Sequence, residues 1–222
     1  MSQRKKIIGS FALLSALVIF SLAYIHVAAQ SALPVQNPAP LSAHLITKAS
    51  FGPVRIGMTL AQARRAMPGV VFKRSDYFDA GAEFTLLRSN TKLMNLYFSN
   101  FYKEDINGSH RQVKEQAMID SIEALDASYS TAAGVHPKML LREAEQRYGK
   151  VSYISTDNFD ETGRGESAKF TRSPDGLTFS VEAEGKEYAG IYKNKNTSGE
   201  ESTTRYVPSA RIRSIWIMRE GE

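Results

Sequence analysis

The side chains that most often do chemistry in proteins are sparse in this 222-residue chain, and they follow no catalytic or metal-binding spacing. There is no cysteine, which excludes disulfides, thiolate metal sites and a cysteine nucleophile. The histidines show no His-x-x-x-His or carboxylate spacing of a metal site; they are His26, His44, His110 and His136. No Gly-x-Ser-x-Gly elbow occurs. The sequence therefore predicts no catalytic residues, no metal site and no cofactor.

Carboxylates near predicted strands offer one chemical alternative. Glycoside hydrolysis needs two carboxyl groups that face the same cleft. Glu83, Glu166 and Glu182 lie on or beside predicted strands and are the candidates for such a pair. Two of them across one pocket would indicate a small-ligand or cell-wall-glycan binding protein, or a hydrolase.

Aromatic side chains are the second set of candidates. Tyr97 and Tyr102 belong to a cluster near the end of one predicted strand, and Trp216 lies in the last predicted strand. Because side chains alternate between the two faces of a strand, the Trp216 side chain is on one face of the predicted strand and those of Ile215 and Ile217 are on the other. Exposed Trp and Tyr residues often anchor protein interfaces. Tyr97, Tyr102 and Trp216 are therefore the predicted partner-binding residues; the alternative is that Trp216 is buried between the two halves of the chain.

Two similar stretches of sequence indicate an internal duplication. The first has Val54, Met58, Leu60 and Ala63, and the second has Val135, Met139, Leu141 and Ala144 at an offset of 81 residues. Residues 119–122 likewise resemble residues 212–215, in the same order along the chain. We expect repeat 1 to span residues 50–131 and repeat 2 to span residues 132–222. The alternative is that two amphipathic helices and two strands look alike by composition alone.

Each half is predicted to contain one short helix followed by strands. Thr59 and Gln62 have the spacing of a capping box at the start of the first helix. The apolar stripes are Leu60, Ala63 and Met67, then Leu141, Ala144 and Tyr148. Predicted strands cover residues 70–73, 83–88, 93–100, 118–127, 150–155, 167–171, 177–183, 188–192 and 210–218. The predicted fold class is α+β, with two tandem repeats, each a short helix plus antiparallel strands, forming one curved sheet.

The first 29 residues indicate transport across a membrane. Residues 1–6 include three basic side chains and no acidic one, and residues 7–29 contain no charged side chain. This pattern is typical of either a cleaved signal peptide or a retained N-terminal membrane anchor. Small residues before Gln30 favour cleavage there. Residues 30–49 contain three prolines and predict an extended linker.

The charge balance argues against nucleic-acid binding. The chain has 28 Lys and Arg and 23 Asp and Glu residues, a net charge of +5. Three of the basic residues lie within residues 1–6 and residues 1–29 contain no acid, so residues 30–222 carry +2. That charge is weaker than the basic footprint of a nucleic-acid-binding domain, so no nucleic-acid partner is expected.

Several short motifs resemble those of bacterial envelope proteins. They are Phe51-Gly-Pro-Val-Arg-Ile-Gly-Met-Thr59, Ile119-x-Ser-Ile122, Thr131, Gly134 and Tyr148-Gly-Lys150. The pattern resembles uncharacterised secreted or envelope proteins of the domain-of-unknown-function type, including stress-regulated envelope lipoproteins. It is similar as well to the small outer-membrane assembly lipoproteins and to the tandem-repeat beta-lactamase inhibitor proteins. The resemblance implies helix-plus-sheet repeats and a protein-binding tendency in some relatives. This chain departs from it in having no cysteine to carry a lipid.

These features predict an extracytoplasmic, non-enzymatic protein-binding module of the bacterial envelope. We expect it to be periplasmic or secreted, or anchored in the inner membrane through residues 7–29 if these are not cleaved. The expected partner is another envelope protein. Two alternatives stay open: the glycan or small-ligand protein described above, and a structural envelope component tethered by residues 7–29.

Overall fold

The computed structural model describes residues 43–77, 81–98, 115–157, 165–185, 188–193 and 201–219. These residues form two short helices, α1 (Leu60–Ala66) and α2 (Leu141–Tyr148). They also form thirteen strands: β1 (Leu45–Ile46), β2 (Ser50–Phe51), β3 (Val54–Arg55), β4 (Val71–Tyr77), β5 (Gly81–Arg88), β6 (Thr91–Phe98), β7 (Ser121–Ala124), β8 (Ser130–Thr131), β9 (Val151–Asp157), β10 (Gly165–Phe170), β11 (Thr178–Glu182), β12 (Ser202–Thr203) and β13 (Arg211–Met218).

Nine of these strands form one continuous antiparallel sheet in the order β12-β9-β10-β11-β13-β7-β6-β5-β4. The two halves of the chain meet at its centre, where β7 pairs with β13 and Glu123 lies directly opposite Trp216. A second sheet has the order β3-β2-β1-β8, and its strands have two residues each. In that sheet β1, which lies inside the range predicted as a linker, runs parallel to β8.

The predicted fold class is wrong. The chain is mostly β, and it is not an α+β fold of two tandem helix-plus-strand repeats. The helices contain only seven and eight residues, about two turns each. Pairing of β7 with β13 joins the strands of both halves into one sheet, and a four-stranded sheet of short strands accompanies it. The two apolar stripes predict the helices correctly, but the strands contain many more of the described residues than the helices do.

The first helix begins where its polar spacing predicts. Gln62 donates its backbone N–H to the Thr59 side-chain oxygen over 3.2 Å, and its own side-chain oxygen accepts the Thr59 N–H over 2.8 Å. The predicted capping box is therefore confirmed. The second helix has no side-chain cap at Leu140, and it ends at Gly149, whose φ of +79° favours glycine.

Both helices pack on the same face of the nine-stranded sheet. The Arg64 guanidinium of α1 lies 5.0 Å from the centre of the Phe72 ring. The Tyr148 ring of α2 lies 5.9 Å from the ring of Phe179, which in turn meets Phe170 edge-on at 5.4 Å. One row of this face runs through five adjacent strands and is buried throughout: Leu86, Met94, Ala124, Ile215 and Phe179. We call it the helix face.

The other side of the sheet, here called the open face, is polar and aromatic. Strand alternation places there the row of residues adjacent to the buried one. From the edge strand β4 across to β11, the residues of that row are Lys73, Thr85, Asn95, Glu123, Trp216 and Thr178. The sheet therefore has one face that holds the core and one face that carries groups suited to recognition.

Candidate functional site

An aromatic stack marks the centre of the open face. The rings of Tyr97 on β6 and Trp216 on β13 lie 5.0 Å apart with an interplanar angle of 25°. Both side chains are half-buried. The short strand β7 lies between their strands, so the two rings meet above it. The stack thus presents part of two aromatic surfaces to solvent in a fixed arrangement.

A buried carboxylate holds this stack from beneath. Glu123 is 5% exposed, and its Oε2 accepts a hydrogen bond from Asn95 Nδ2 over 2.8 Å and from the Tyr97 hydroxyl over 3.0 Å. Thr85 donates its hydroxyl to Asn95 Oδ1 over 3.0 Å, which orients the amide. On the other side, Trp216 Nε1 donates to Ser214 Oγ over 3.1 Å. A carboxylate buried in this way is tolerated because it is hydrogen-bonded.

The surroundings of Tyr97 keep its hydroxyl protonated. Burial, and then the charges of the Glu123 and Glu83 carboxylates, raise the pKa of Tyr97 well above its ordinary value. The phenol is therefore a hydrogen-bond donor at every physiological pH. It serves to hold the ring over Glu123 rather than to accept a proton.

A groove lies beside the stack on the same face. Its volume is about 320 Å³, and its lining includes Tyr153, Lys169, Thr178 and Met218. Thr178 is the direct neighbour of Trp216 across the β11–β13 ladder. Tyr153 and Met218 are 43% and 60% exposed, unusually high for large apolar side chains. The groove and the stack form one continuous surface.

Small polar side chains adjoin this surface. One serine from each of five adjacent strands lies in register: Ser214, Ser180, Ser167, Ser155 and Ser202. Ser155 and Ser167 share a hydrogen bond of 3.1 Å between their hydroxyls. The side chains of this row are short, but only Ser202 is exposed, while Ser180 and Ser214 are buried.

The predicted binding residues are partly brought together. Tyr97 and Trp216 meet in the stack, whereas Tyr102 lies outside the described residues. Trp216 is neither fully exposed nor buried in the core. Asn95 and Glu123 are not among the predicted binding residues. Two signals point to them: the repeat correspondence puts Glu123 at the position equivalent to Trp216 and so on the same face, and strand alternation puts Asn95 and Tyr97 on the same face of β6.

The three candidate carboxylates do not converge. Glu83 on β5 is the neighbour of Tyr97 on the open face. Glu166 is on β10, five strands away from Glu83, and its side chain is on the helix face. Five strand spacings correspond to about 24 Å. Glu182 pairs with Arg211 over 3.2 Å. None of these three side chains lines the groove.

Glu166 instead has a structural position. It is 4% exposed, and it accepts hydrogen bonds from the amides of Ala189 and Gly190 over 2.6 and 2.8 Å and from the Tyr192 hydroxyl over 2.7 Å. Burial raises the pKa of Glu166, although these three donors favour the charged form. The carboxylate therefore fastens residues 189–192 to β10.

Neither a cluster of metal ligands nor a membrane-spanning helix is found among the described residues. Within the described ranges, no three His, Asp or Glu side chains converge as metal ligands would. No helix in the described part of the chain is long and apolar enough to cross a bilayer. Residues 7–29, predicted as leader or anchor, lie outside the described residues.

Comparison with known proteins identifies a similar fold. No protein-family model and no curated protein matches this chain. Its structure is similar to the crystal structure of the uncharacterized protein yfeY from Escherichia coli, with a TM-score of 0.50 and 10% sequence identity. The match covers 79% of this chain and 99% of that one. At this level of identity, the similarity shows a shared fold and nothing further about activity.

Proposed function

We propose that this chain is an extracytoplasmic, non-enzymatic protein-binding module of a bacterial envelope, and that the open face holds its partner. The observation that carries the proposal is the half-buried Tyr97–Trp216 stack beside the exposed Met218 and Tyr153. Aromatic and methionine side chains are the residues enriched in protein interfaces. The location outside the cytoplasm rests on the pattern of residues 1–29.

The rigidity of the stack supports binding to a protein surface. Hydrogen bonds to Glu123 from Asn95 and Tyr97 fix the tyrosine, and the bond to Ser214 fixes the indole. Because these side chains are already ordered, binding a partner costs little additional conformational entropy.

Replacing Trp216 by alanine tests the proposal. Truncation of an interface tryptophan typically costs about 2 kcal/mol or more, which is about a 30-fold loss of affinity. The tagged full-length chain would be cross-linked in its native cells and purified, and its captured proteins quantified by mass spectrometry. Met118→Ala is the matched control, since Met118 is an apolar side chain, 45% exposed, that forms a β-bridge with Thr59, the N-cap residue of α1, and lies outside the strands of the open face.

The proposal predicts one dominant envelope protein that is captured by the unaltered chain and by Met118→Ala, and is lost with Trp216→Ala. Circular dichroism must show that both variants remain folded. Equal capture by all three chains would place the partner elsewhere on the molecule and contradict the assignment of the open face.

The groove supports a second candidate function, the binding of a small ligand or a cell-wall glycan. Its volume of about 320 Å³ is at the lower end of ligand pockets, and an aromatic platform suits a sugar ring. Thermal denaturation in the presence of soluble peptidoglycan fragments tests this alternative. A rise in melting temperature that Trp216→Ala and Met218→Ala both abolish would favour it over protein binding.

A further inference from the structure

The carboxylate beneath the aromatic stack uses only one of its two oxygens. Glu123 is 5% exposed, and both of its hydrogen bonds, from Asn95 and Tyr97, go to Oε2. Oε1 accepts no hydrogen bond from any described residue. In the described part of the chain, the side-chain atoms that are both buried and without a hydrogen-bond partner are Arg55 Nε and Arg211 Nε. Glu123 Oε1 is not one of them, so this oxygen is a fixed, unused acceptor that is accessible from the open face.

The charge of this carboxylate is not compensated. No lysine or arginine among the described residues forms an ion pair with Glu123. Lys73 and Lys169, two lysines of the open face, are each three strand spacings from Glu123, about 14 Å. Lys92 lies on the neighbouring strand β6, three residues from the position opposite Glu123, about 10 Å along that strand. A cationic group could therefore bind at Glu123 without displacing a cation of this chain.

A second carboxylate adds to the negative charge at the centre of the open face. Glu83 on β5 lies opposite Tyr97. The charges that act on the Tyr97 hydroxyl are those of Glu123 and Glu83, and both are negative. Complementarity of charge is what selects one partner surface over another with similar apolar groups, so this centre favours a cationic group.

The indole of Trp216 borders the free oxygen. Trp216 and Glu123 are direct neighbours in the β7–β13 ladder, so their Cβ atoms lie about 5 Å apart. The indole is half-buried, and its bond to Ser214 keeps the ring in place. A group that reaches Glu123 Oε1 from solvent therefore also contacts the ring. A guanidinium suits both contacts, because it donates N–H bonds to a carboxylate in its own plane and packs its flat face against an aromatic ring.

We infer that the open face receives an arginine side chain of the protein partner, whose guanidinium donates to Glu123 Oε1 and packs against the exposed part of the Trp216 ring. This inference rests on the proposed function. It adds the chemistry of the group that the partner contributes, and it makes Glu123 a binding residue as well as the support of the stack. Arginine is itself enriched among the residues that dominate the energy of protein interfaces.

Short peptides test the inference with defined probes. The probe is acetyl-Gly-Arg-Gly-amide. Acetyl-Gly-citrulline-Gly-amide has the same shape without the charge, and acetyl-Gly-Lys-Gly-amide has the charge without the planar group. Trp216 is the only tryptophan, so the ¹⁵N-labelled full-length chain gives one indole N–H signal in NMR spectra. We expect the arginine peptide to shift this signal saturably, the lysine peptide to bind at least about threefold more weakly, and the citrulline peptide to leave the signal in place.

Glu123→Gln is the variant that removes the proposed acceptor. Its amide oxygen would keep the bonds from Asn95 and Tyr97, which places the NH₂ group where Oε1 was. A donor then lies where the guanidinium needs an acceptor and the negative charge is gone, so affinity for the arginine peptide should fall at least about tenfold. Glu184→Gln makes the same change of net charge at an exposed residue outside the strands, and it should leave the affinity within about twofold.

Three results would overturn the inference. They are an indole signal that the arginine peptide does not shift, a citrulline or lysine peptide that binds as tightly as the arginine peptide, and undiminished binding of the arginine peptide by Glu123→Gln.

Capture of the partner in cells separates this inference from the proposed function. If the captured protein is lost with Trp216→Ala but fully retained by Glu123→Gln, the open face binds protein and the arginine inference is wrong. If no protein is captured through Trp216, the proposed function itself fails, even if the arginine peptide binds at Glu123.

Discussion

Replacing Glu166 by leucine is expected to lower the free energy of unfolding by about 3–5 kcal/mol, because three buried donors lose their acceptor. The leucine would leave the Ala189 and Gly190 amides and the Tyr192 hydroxyl without their acceptor. Each buried donor left unpaired costs about 1–3 kcal/mol. Urea unfolding followed by circular dichroism measures the change.

The control for this substitution is Glu184→Leu. Glu184 is an exposed glutamate in the same half of the chain, and changes at such positions stay within about 0.5 kcal/mol. An equally small effect of Glu166→Leu would show that residues 189–192 do not depend on the carboxylate for their position.

Glu166 also gives the protein a distinctive pH dependence. Burial raises its pKa in the folded state above the ordinary value of 4.5, so the folded protein retains a proton that the unfolded chain releases. The contribution of Glu166 is therefore fully present below pH 4.5 and decreases as the pH rises through the folded pKa. The test compares the free energy of unfolding of the natural chain with that of Glu166→Gln at each pH, because the contributions of the other carboxylates are the same in both proteins. As the pH increases, the natural chain should become less stable relative to Glu166→Gln.

The second large effect is expected for Glu123→Ala, which removes the acceptor beneath the aromatic stack. The Tyr97 hydroxyl would lose its acceptor, and Asn95 Nδ2 would keep only its longer bond of 3.3 Å to the Tyr97 oxygen, at a cost of about 2–3 kcal/mol. Tyr97 would no longer be held over β7. Trp216 is the only tryptophan of the chain, so its fluorescence reports the change in its surroundings directly.

Two milder variants separate the ring from its hydrogen bond. Glu123→Gln keeps one oxygen that can accept both donors, so it should cost about 1 kcal/mol. Tyr97→Phe keeps the stacked ring but loses the hydrogen bond that the hydroxyl donates to Glu123 and the one that it accepts from Asn95, so it should cost about 1–2 kcal/mol. Both should retain the fluorescence of the folded chain. If Glu123→Ala leaves both stability and emission unchanged, the network does not hold the stack.

The longer strands could be predicted because their side chains alternate. The ranges 83–88 and 210–218 correspond closely to β5 and β13. The range 188–192 was predicted as a strand as well, but it forms only an isolated bridge, between Gly190 and Tyr206. Two amides of this stretch bond to Glu166 instead, and a sequence pattern carries no information about backbone donors that reach a distant carboxylate.

The fold class was missed for a related reason. The apolar stripes of α1 and α2 are correct, as Leu60, Ala63, Leu141 and Ala144 are all buried. Helical spacing indicates where a helix begins and which of its faces is apolar. It does not indicate how small the helical share of the fold is beside a sheet of nine strands. The pairing of β7 with β13 depends on contacts between residues about 90 positions apart, which local patterns do not encode.

The sequence predicts which types of residue form the candidate site, but not which of them are neighbours across paired strands. Alternation placed Trp216 on the face opposite to Ile215 and Ile217, and the structure agrees. That Glu123 lies directly between Asn95 and Trp216 follows only from the pairing of three strands. Simple alternation would put Ile212 on the same face as Ser214 and Trp216. A register shift between β11 and β13 instead pairs Ile212 with Val181, and both side chains are buried.

Site-specific photo-cross-linking in living cells tests most directly whether the open face holds a protein partner. Benzoylphenylalanine would replace Met218, on the open face, or Met118, beside the N-cap residue of α1, in the full-length chain. We expect one discrete adduct with an envelope protein from position 218 and none from position 118. An adduct from position 118 alone, or none from position 218 while the partner is still captured by the unaltered chain, would contradict it.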